Sequence, residues 1–343
     1  MSGLGTRQPG PGPNDPTQQG TPEHAPRGTG PRAGAERTTE RGNRRATPVA
    51  RGVQTRDGAA TELRGWSATS SALVVKLGGR ALEAPGALRE FAAALREAGT
   101  PGGSARATLV LHGGGAEVTA WCTRAGLTPR FADGLRVTDR DTLEIAAAVL
   151  AGLANKRLVA TLRAHGLDAV GLAALDGGIV RARRHPDTAL LGEVGEIEAV
   201  DAALLATLLA AGRVPVLASL GDDGAGALLN LNADDVASAV AAALPAGDLV
   251  LLSDAPGLLL DGKIVPTLDE TELAGVLMNQ AVTGGMRPKL RAAQAALAAG
   301  VRRVFIAAWQ GPGTLAGLLA GTATATTLGA ARAGSVRPEE SHV

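Results

Sequence analysis

The chain reads VVKLGG at residues 74–79 and LVLHGGG at residues 109–115, and these two stretches decide its fold. In each of them a short apolar run rich in Val and Leu breaks abruptly into glycines. This pattern is typical of a buried parallel strand that ends in a loop whose backbone closely approaches a ligand. Because such loops present backbone N–H groups, and one of them follows Lys76, the pair predicts a phosphate-binding site.

Strands and helices continue to alternate beyond these two loops. Apolar segments typical of buried strands recur at residues 169–172, 214–218, 248–252 and 304–307. Helical segments lie between them, among them residues 142–165 in two pieces and residues 286–299. The sequence DGG at residues 176–178 is typical of a hairpin turn. This alternation predicts an α/β fold, a three-layer αβα sandwich with an open, mainly parallel central sheet.

The composition allows a large core and excludes several classes of protein. Apolar residues make up 45% of the 343 residues, but aromatic residues only 2%, which argues against base stacking and nucleic acid as a partner. The single cysteine, Cys122, excludes an internal disulfide framework and a multi-thiolate metal site. No run has the roughly 18 uncharged apolar residues of a membrane helix, and no signal peptide is evident. A cytoplasmic enzyme without a membrane segment is therefore expected.

Residues 1–70 differ in composition from the rest of the chain. They are dense in Gly, Pro, Thr and Arg, and their ten arginines against six acidic residues give a net charge of +4. Such a segment cannot bury enough apolar surface to offset its chain entropy, so a disordered tail is predicted. An Arg-rich tail can bind nucleic acid or an acidic partner, but a passive extension is the simpler interpretation. Residues 71–330 are then the folded domain, and residues 331–343 are a second disordered tail.

Three later motifs place polar residues at strand ends or helix starts, and each has two interpretations. Arg136, in the stretch GLRVTD at 134–139, is either a solvated arginine or a clamp for a substrate carboxylate. The cluster NLNADD at 230–235 is either a helix cap or a set of substrate ligands in which Asp234 lies among cations. The strand and hairpin at 251–263 are either a nucleotide site or a plain surface hairpin.

Lys289 ends the stretch TGGMRPK at 283–289, just inside a predicted helix. A lysine at that place faces the positive end of the helix dipole, which is unfavourable unless an anion lies between them. A solvated lysine is the alternative interpretation. The conflict between the local rule and the sequence nevertheless indicates a functional position.

Taken in order, these motifs resemble those of the N-acetyl-L-glutamate kinases of the amino acid kinase superfamily. The series is KxGG, HGGG, GLRVT, ANK, NxNAD, LSDxxG and GMxxK, and the resemblance covers about residues 73–328. It implies ATP with Mg²⁺ as phosphoryl donor and the γ-carboxylate of N-acetyl-L-glutamate as acceptor, in arginine biosynthesis. It also implies an N-terminal part, to about residue 220, that binds the acyl substrate, a C-terminal part that binds ATP, and a homodimer.

The resemblance further implies roles for individual residues. The catalytic residues would be Lys76, Lys289 and Asp234, with the carboxylate holding the two lysines in place. The substrate-binding residues would be Gly114, Gly115, Arg136 and Asn230. The ATP-binding residues would be Gly78, Gly79, Asp254, Gly257, Leu258, Ala281, Val282 and Thr283. No residue of the chain is assigned to a metal.

The sequence also departs from the family pattern. Arg80 follows the paired glycines where many members have a small residue or Asn, and the late strand runs into Trp309 instead of a polar turn. The N-terminal tail lacks the amphipathic helix of arginine-inhibited hexamers, which favours a dimer without arginine feedback. Two alternatives remain: a kinase of a carrier-protein-bound aminoadipate or glutamate, and an inactive nucleotide-binding regulator.

Overall fold

The computed structural model describes residues 72–78, 86–99, 106–244, 246–279, 282 and 284–329. The predicted tails at 1–70 and 331–343 lie outside the described residues. So do Arg80 and three of the predicted site residues, Gly79, Ala281 and Thr283. The described residues all fall within one compact unit.

The strands are numbered here in chain order. They are β1 (Leu73–Leu77), β2 (Thr108–His112), β3 (Arg130–Ala132), β4 (Leu135–Val137), β5 (Ala169–Ala173), β6 (Val180–Arg184), β7 (Gly195–Val200), β8 (Val214–Ala218), β9 (Leu220–Asp222), β10 (Leu228–Asn230), β11 (Asp248–Ser253), β12 (Leu259–Leu260), β13 (Lys263–Ile264), β14 (Thr267–Leu268), β15 (Arg303–Ala308) and β16 (Thr326–Gly329). Eight of them form the central sheet of the described part, in the order β14-β16-β15-β11-β1-β2-β8-β5.

The helices cover both faces of this sheet. They are α1 (Ala87–Ala98), α2 (Gly115–Arg124), α3 (Arg140–Ala147), α4 (Asn155–Ala164), α5 (Thr188–Leu191), α6 (Ala203–Ala210), α7 (Ala233–Ala243), α8 (Glu270–Met278), α9 (Met286–Ala298) and α10 (Thr314–Ala320). A π-helical segment, Ala148–Ala154, joins α3 to α4. The six strands from β15 to β5 are parallel, and β16 runs antiparallel to β15. The predicted three-layer αβα sandwich with a mainly parallel sheet is confirmed.

Side-chain alternation along the central strands divides the core into two layers. Val75 of β1 and Val110 of β2 belong to a cluster with α1, α4 and α10, whereas Val74 belongs to a cluster with α7 and α9. Because successive side chains of a strand point to opposite faces, Lys76 projects to the same face as Val74. By the same rule His112 projects to the face of Val110. The two polar residues that precede the glycine loops therefore lie on opposite faces of the sheet.

The predicted hairpin at residues 176–178 is wrong. β5 pairs with β8 inside the central sheet, while β6 pairs with β7 in a separate two-stranded sheet. The DGG sequence instead forms a 3₁₀ turn, in which Gly177 and Gly178 have positive φ angles of 62° and 72°. These glycines still provide the left-handed backbone that the motif suggested. They redirect the chain from one sheet to another because β5 already has its partner.

Helix α8 is absent from the sequence-based predictions, although the sequence carries a signal for it. The Asp269 carboxylate accepts a hydrogen bond from the Glu272 N–H at 2.7 Å, and the Glu272 carboxylate accepts one from the Asp269 N–H at 2.9 Å. This reciprocal pair is a capping box, which is recognisable as an acidic or hydroxyl residue followed three positions later by Glu or Gln.

Residues 142–165 were predicted to be helical in two pieces, but α3, the π-helical segment and α4 form one continuous helix from Arg140 to Ala164. Among the described residues it is the single helix long and apolar enough, by length and composition alone, to cross a membrane. A membrane span is not expected here from the sequence, because no run has about 18 uncharged apolar residues. Only 33% of its most apolar window is buried within the chain.

At the end of the sheet opposite the glycine loops, Asp248 is buried among arginines. Its side chain is 1% exposed and lies 2.7 Å from both Arg106 Nη2 and Arg303 Nε. Burial alone would raise the pKa of Asp248, but the hydrogen bonds from Arg303 and Arg106 hold it below its ordinary value. The three residues tie together the start of β11, the start of β15 and the chain just before β2.

We predict that Asp248→Asn lowers the free energy of unfolding by about 3–5 kcal/mol at pH 7, because it leaves two arginines without their buried partner. Asp168→Asn is the matched control, since Asp168 also pairs with two arginines but is 47% exposed. Asp168→Asn should lower the free energy of unfolding by less than about 1 kcal/mol. Urea denaturation of the three proteins measures both effects.

The same measurement has a defined pH dependence. The pKa of Asp248 is lower in the folded chain than in the unfolded chain. Its contribution to the free energy of unfolding is therefore fully present above the ordinary carboxyl pKa of about 3.9, and it is lost as the pH falls through the pKa of the folded state. The difference between wild type and Asp248→Asn should therefore shrink in acid. Equal stability of the two proteins at pH 7 would contradict the assignment.

Candidate active site

Three charged residues meet where β1 ends and where α7 and α9 begin. Lys76 Nζ lies 2.7 Å from Asp234 Oδ1, and Lys289 Nζ lies 2.8 Å from Asp234 Oδ2. The three side chains are 6%, 15% and 6% exposed for Lys76, Lys289 and Asp234. One buried carboxylate thus holds two lysines that come from distant parts of the sequence.

The charges of this cluster do not cancel. Burial alone would raise the pKa of Asp234, but the two ammonium groups outweigh burial and hold the pKa below its ordinary value, so the carboxylate is ionised. Burial lowers the pKa of Lys76, and the Asp234 carboxylate opposes that shift. With both lysines protonated, the three residues carry one excess positive charge. An anion placed beside them would complete the cluster.

The position of Lys289 also explains the conflict noted in the sequence. Lys289 is in the first turn of α9, where a cation is unfavourable, but its ammonium group is paired with Asp234. Asp234 in turn lies in the first turn of α7, where a carboxylate is favourable. The arrangement leaves the amino ends of two helices and two lysines around the same point.

Gly78 keeps space open for the Lys76 ammonium group. A Cβ atom at this position would collide with Lys76 Nζ and would lie 3.1 Å from the Leu252 carbonyl oxygen. Since Lys76 is fixed on Asp234, the lysine cannot move aside without breaking the ion pair. The glycine after β1 is therefore required by the side chain of the same motif.

The glycine turn after β2 lies beside the end of β1. The Gly113 N–H donates to the Leu77 carbonyl at 3.1 Å, and the Gly114 carbonyl accepts a hydrogen bond from the Val118 N–H at 2.8 Å in the first turn of α2. Gly114 and Gly115 consequently form the amino end of a helix at the carboxyl edge of the sheet. Such helix ends attract anions through their N–H groups and dipole.

Arg136, on the short β3–β4 hairpin, reaches this turn. Its Nη2 donates to the Gly115 carbonyl at 2.7 Å and to Thr119 Oγ1 at 2.8 Å, and its guanidinium lies over the Phe131 ring at 4.7 Å from the centroid. The residue is 8% exposed, and its buried Nη1 has no hydrogen-bond partner among the described residues. A buried guanidinium with a spare donor is suited to a carboxylate ligand.

Asn230 is linked to Arg136 through Thr138. The Asn230 amide donates to Thr138 Oγ1 at 3.0 Å, and Thr138 Oγ1 donates to the Arg136 carbonyl at 2.8 Å. The structure identifies Asp139 as the cap of α3, because its carboxylate accepts from the Thr142 N–H at 2.9 Å. Thr138 is instead a fully buried bridge between two predicted substrate ligands.

The structure brings only some of the predicted nucleotide-binding residues to the edge of the sheet where Lys76 lies. Asp254 follows β11 at the same edge of the sheet as Lys76, and it is exposed. Gly257 has a φ of +158°, and a Cβ there would lie 2.7 Å from Thr326 Oγ1. Leu258 is 1% exposed and Val282 is 2% exposed, and both side chains pack into the core. Only the backbone of these two residues is available to a ligand.

Sequence reasoning missed some polar residues of this region. Thr119 holds Arg136, Thr138 bridges to Asn230, and Asn155 contacts the His112 ring. The ANK motif had signalled Asn155 but gave it no role. Thr119 and Thr138 had no signal of their own, because a buried threonine bridge depends on tertiary contacts. In the described ranges, no group of three or more His, Cys, Asp or Glu residues could hold a metal ion.

Comparison with known proteins agrees with this geometry. A sequence profile of the Amino acid kinase family matches residues 71–308. The acetylglutamate kinase of Methanopyrus kandleri is 46% identical over 231 residues, which are 63% of this chain and 89% of that protein. The acetylglutamate kinase of Chloroflexus aurantiacus is 43% identical over 235 residues, which are 68% of this chain and 90% of that protein.

Solved structures show the same fold. The N-acetylglutamate synthase of Neisseria gonorrhoeae, solved with coenzyme A and N-acetyl-glutamate, superposes with a TM-score of 0.66 at 27% identity. The match covers 76% of this chain and 60% of that one. The sequence profile spans most of the chain, and the relatives are matched over nearly their whole length. The chain belongs to the amino acid kinase family.

Proposed function

We propose that this chain transfers the γ-phosphoryl group of ATP to the γ-carboxylate of N-acetyl-L-glutamate, giving N-acetyl-L-glutamyl 5-phosphate and ADP in arginine biosynthesis. The relatives described above are named acetylglutamate kinases and match 63% and 68% of the chain. The observation that carries the proposal is the cluster of Lys76 and Lys289 on the single carboxylate of Asp234. Its excess positive charge lies at an edge of the sheet that is suited to phosphate.

The transfer requires no general base. The attacking γ-carboxylate has an ordinary pKa of about 4.3 and is already ionised at neutral pH. Its oxygen forms a bond to the γ-phosphorus as the bond to the bridging oxygen of ADP breaks. Asp234 is unsuited to accept a proton, since two ammonium groups keep its pKa low. Catalysis is therefore positioning and charge stabilisation of a loose transition state.

The described residues fit these tasks in two groups. Lys76 and Lys289 would neutralise charge on the transferring oxygens, with the N–H groups of Gly114 and Gly115 beside them. Arg136 would bind the α-carboxylate of the substrate through its spare Nη1 donor, and Asn230 would contribute its amide. The part of the chain up to about residue 220 would then serve mainly the acyl substrate, and the later part ATP.

The bound metal would come with the nucleotide. Both oxygens of Asp234 are engaged by lysines, so this carboxylate is not available as a Mg²⁺ ligand. Mg²⁺ characteristically keeps several waters and binds through substrate phosphates, which neutralises charge there. ATP with Mg²⁺ and the amino acid derivative are metabolites of the cytoplasm, where we place the enzyme. Neither a membrane nor nucleic acid is needed as a partner.

A hydroxamate assay tests the reaction directly. With ATP, Mg²⁺ and hydroxylamine, the purified chain should form hydroxamate from N-acetyl-L-glutamate, because hydroxylamine traps the acyl phosphate. The rate should be at least about tenfold higher than with glutamate or aminoadipate. Product only from a carrier-protein-bound substrate would favour the first alternative. ATP binding without any product would favour the inactive regulator. Either result, or no product from N-acetyl-L-glutamate, would overturn the proposal.

Removing either lysine should slow the chemical step. We expect Lys76→Ala and Lys289→Ala to lower kcat by about 10²–10³, because each removes a charge that stabilises the transferring oxygens. Each variant keeps the other lysine on Asp234. Arg213→Ala is the control and should keep wild-type turnover, because Arg213 is 45% exposed and lies just before β8, at the opposite end of the sheet. Near wild-type turnover of either site variant would refute these roles.

We also propose that the chain forms a homodimer. Only 33% of the most apolar window of the helix from Arg140 to Ala164 is buried in its own chain, and Leu153 on it is 42% exposed. Light scattering should give twice the 34.3 kDa chain mass, and Leu153→Glu should shift the mass towards one chain. A wild-type mass of a single chain at micromolar concentration would contradict the dimer.

A further inference from the structure

The ANK motif at residues 154–156 has no part in the proposed reaction, yet Asn155 is fully buried and makes several polar contacts. Its Nδ2 lies 3.1 Å from His112 Nε2 and donates to the Val216 carbonyl at 2.9 Å and the Leu172 carbonyl at 3.3 Å. Its Oδ1 accepts from Lys156 Nζ at 3.1 Å. One amide thus joins the carboxyl ends of β2, β8 and β5.

These contacts determine the protonation of His112. The carbonyl partners on one side of Asn155 and the Lys156 ammonium on the other fix which end of the amide donates. An amide nitrogen cannot accept a hydrogen bond, so His112 Nε2, which faces Asn155 Nδ2 at 3.1 Å, must be the unprotonated ring nitrogen, and the proton of the neutral ring is on Nδ1. Burial lowers the pKa of His112 and keeps the ring neutral, although the hydrogen bond to Gly113 opposes that shift.

The protonated Nδ1 contacts the glycine turn of the proposed site. His112 Nδ1 lies 2.8 Å from the Gly113 carbonyl oxygen, to which it donates. The Gly113 N–H is held at the same time by the Leu77 carbonyl at 3.1 Å. The peptide unit that joins Gly113 to Gly114 is planar and trans, so its C=O and N–H point in opposite directions. Fixing the Gly113 carbonyl therefore fixes the direction of the Gly114 N–H.

We propose that His112, held in one tautomer by Asn155, is a positioning residue that aims the Gly114 N–H at the transferring phosphoryl group. The proposal rests on the proposed function for the identity of that group. His112 acts through the backbone and does not touch the substrate. Its ring lies on the α1 and α4 face of the sheet, whereas Lys76 projects to the α7 and α9 face.

The π-helical segment places Asn155 for this contact. The Asn155 N–H contacts the Leu150 carbonyl five residues earlier, which is the hydrogen-bond spacing of a π-helix. A regular α-helix over the same residues would wind about 100° further and turn the Asn155 side chain away from His112. Leu150 of the same segment packs against Gly114, where a Cβ would lie 2.7 Å from Leu150 Cδ2. The segment thus supports the turn at two points.

Gly171 of strand β5 makes room for the same amide. A Cβ there would collide with Asn155 Oδ1 and would lie 2.8 Å from Val159 Cγ2. Because the strand has no side chain at this position, the Asn155 amide can enter the sheet and reach the strand ends. A polar group so deeply placed needs all its partners, and the four contacts of Asn155 supply them.

Two substitutions of His112 separate its two ring contacts. In His112→Asn the side-chain amide nitrogen takes the place of Nδ1 and can still donate to the Gly113 carbonyl. In His112→Gln the amide group reaches the place of Nε2 and faces Asn155, but the donor to Gly113 is lost. We expect His112→Gln to lower kcat about 10- to 100-fold with KM for ATP nearly unchanged, because the N–H contributes most in the transition state.

His112→Asn should recover kcat to within about threefold of wild type at a comparable thermal midpoint, since it keeps the donor to Gly113. His165→Gln is the matched control, because His165 Nδ1 also contacts a backbone carbonyl, that of Thr161 at 2.9 Å, at the far end of α4. It should leave kcat unchanged. Wild-type kcat in His112→Gln, or equal losses of kcat and thermal midpoint in both His112 variants, would overturn the proposal.

The ring nitrogens provide a test that needs no substrate. Nitrogen-15 NMR of the labelled protein should show His112 with Nδ1 protonated and Nε2 bare, and Asn155→Ala should abolish this preference. A proton on Nε2 in the wild type would overturn the positioning role even if the enzyme is active. If the wild type does not phosphorylate N-acetyl-L-glutamate, the proposed function is overturned but the positioning role of His112 is not. The tautomer of the His112 ring, and turnover of another carboxylate, still test that role.

Discussion

The ion pairs of Asp234 with Lys76 and Lys289 are the interaction on which the site depends. They join the end of a central strand to the first turns of two helices that start 53 residues apart in the sequence. Burying three charges is costly, and one carboxylate cannot compensate two ammonium groups fully. The fold tolerates this cost because the remaining charge is directed at the place where an anionic substrate would bind. Under the proposed function, the excess positive charge would favour binding of the phosphate groups of ATP.

The two faces of the central sheet hold residues with different proposed roles. Alternation along β1 and β2 sends Lys76 to one face and His112 to the other, although the two strands are adjacent. The glycine turn lies between the two faces at the carboxyl edge. Side chains on the first face are suited to carry charge to the reacting group, while those on the second hold the backbone in place. A turn of three glycines has many accessible conformations, so contacts that restrict its backbone are needed to hold one of them.

The sequence predicted the central strands and their glycine ends well, because buried parallel strands and sharp strand-to-glycine breaks are local features. It also identified the conflict at Lys289, which the ion pair with Asp234 explains. It did not predict the bridge at Thr138 or the role of Asn155, since both depend on which strand ends meet in space. The hairpin predicted at the DGG sequence is wrong for a related reason. The motif predicts a bend of the backbone, but it does not predict which strand pairs after the bend.

Glycines near the site have a meaning that the sequence alone did not distinguish. The glycines that end β1 and β2, among them Gly78, predict places where the backbone approaches a ligand. In the structure Gly78, and Gly171 within β5, also admit polar side chains of the chain itself, the ammonium group of Lys76 and the amide of Asn155. Each missing Cβ lets a buried polar group reach its partner at the sheet edge. A glycine that follows or lies in a buried strand can therefore indicate an internal polar network as well as a ligand, and only the neighbouring strands decide between them.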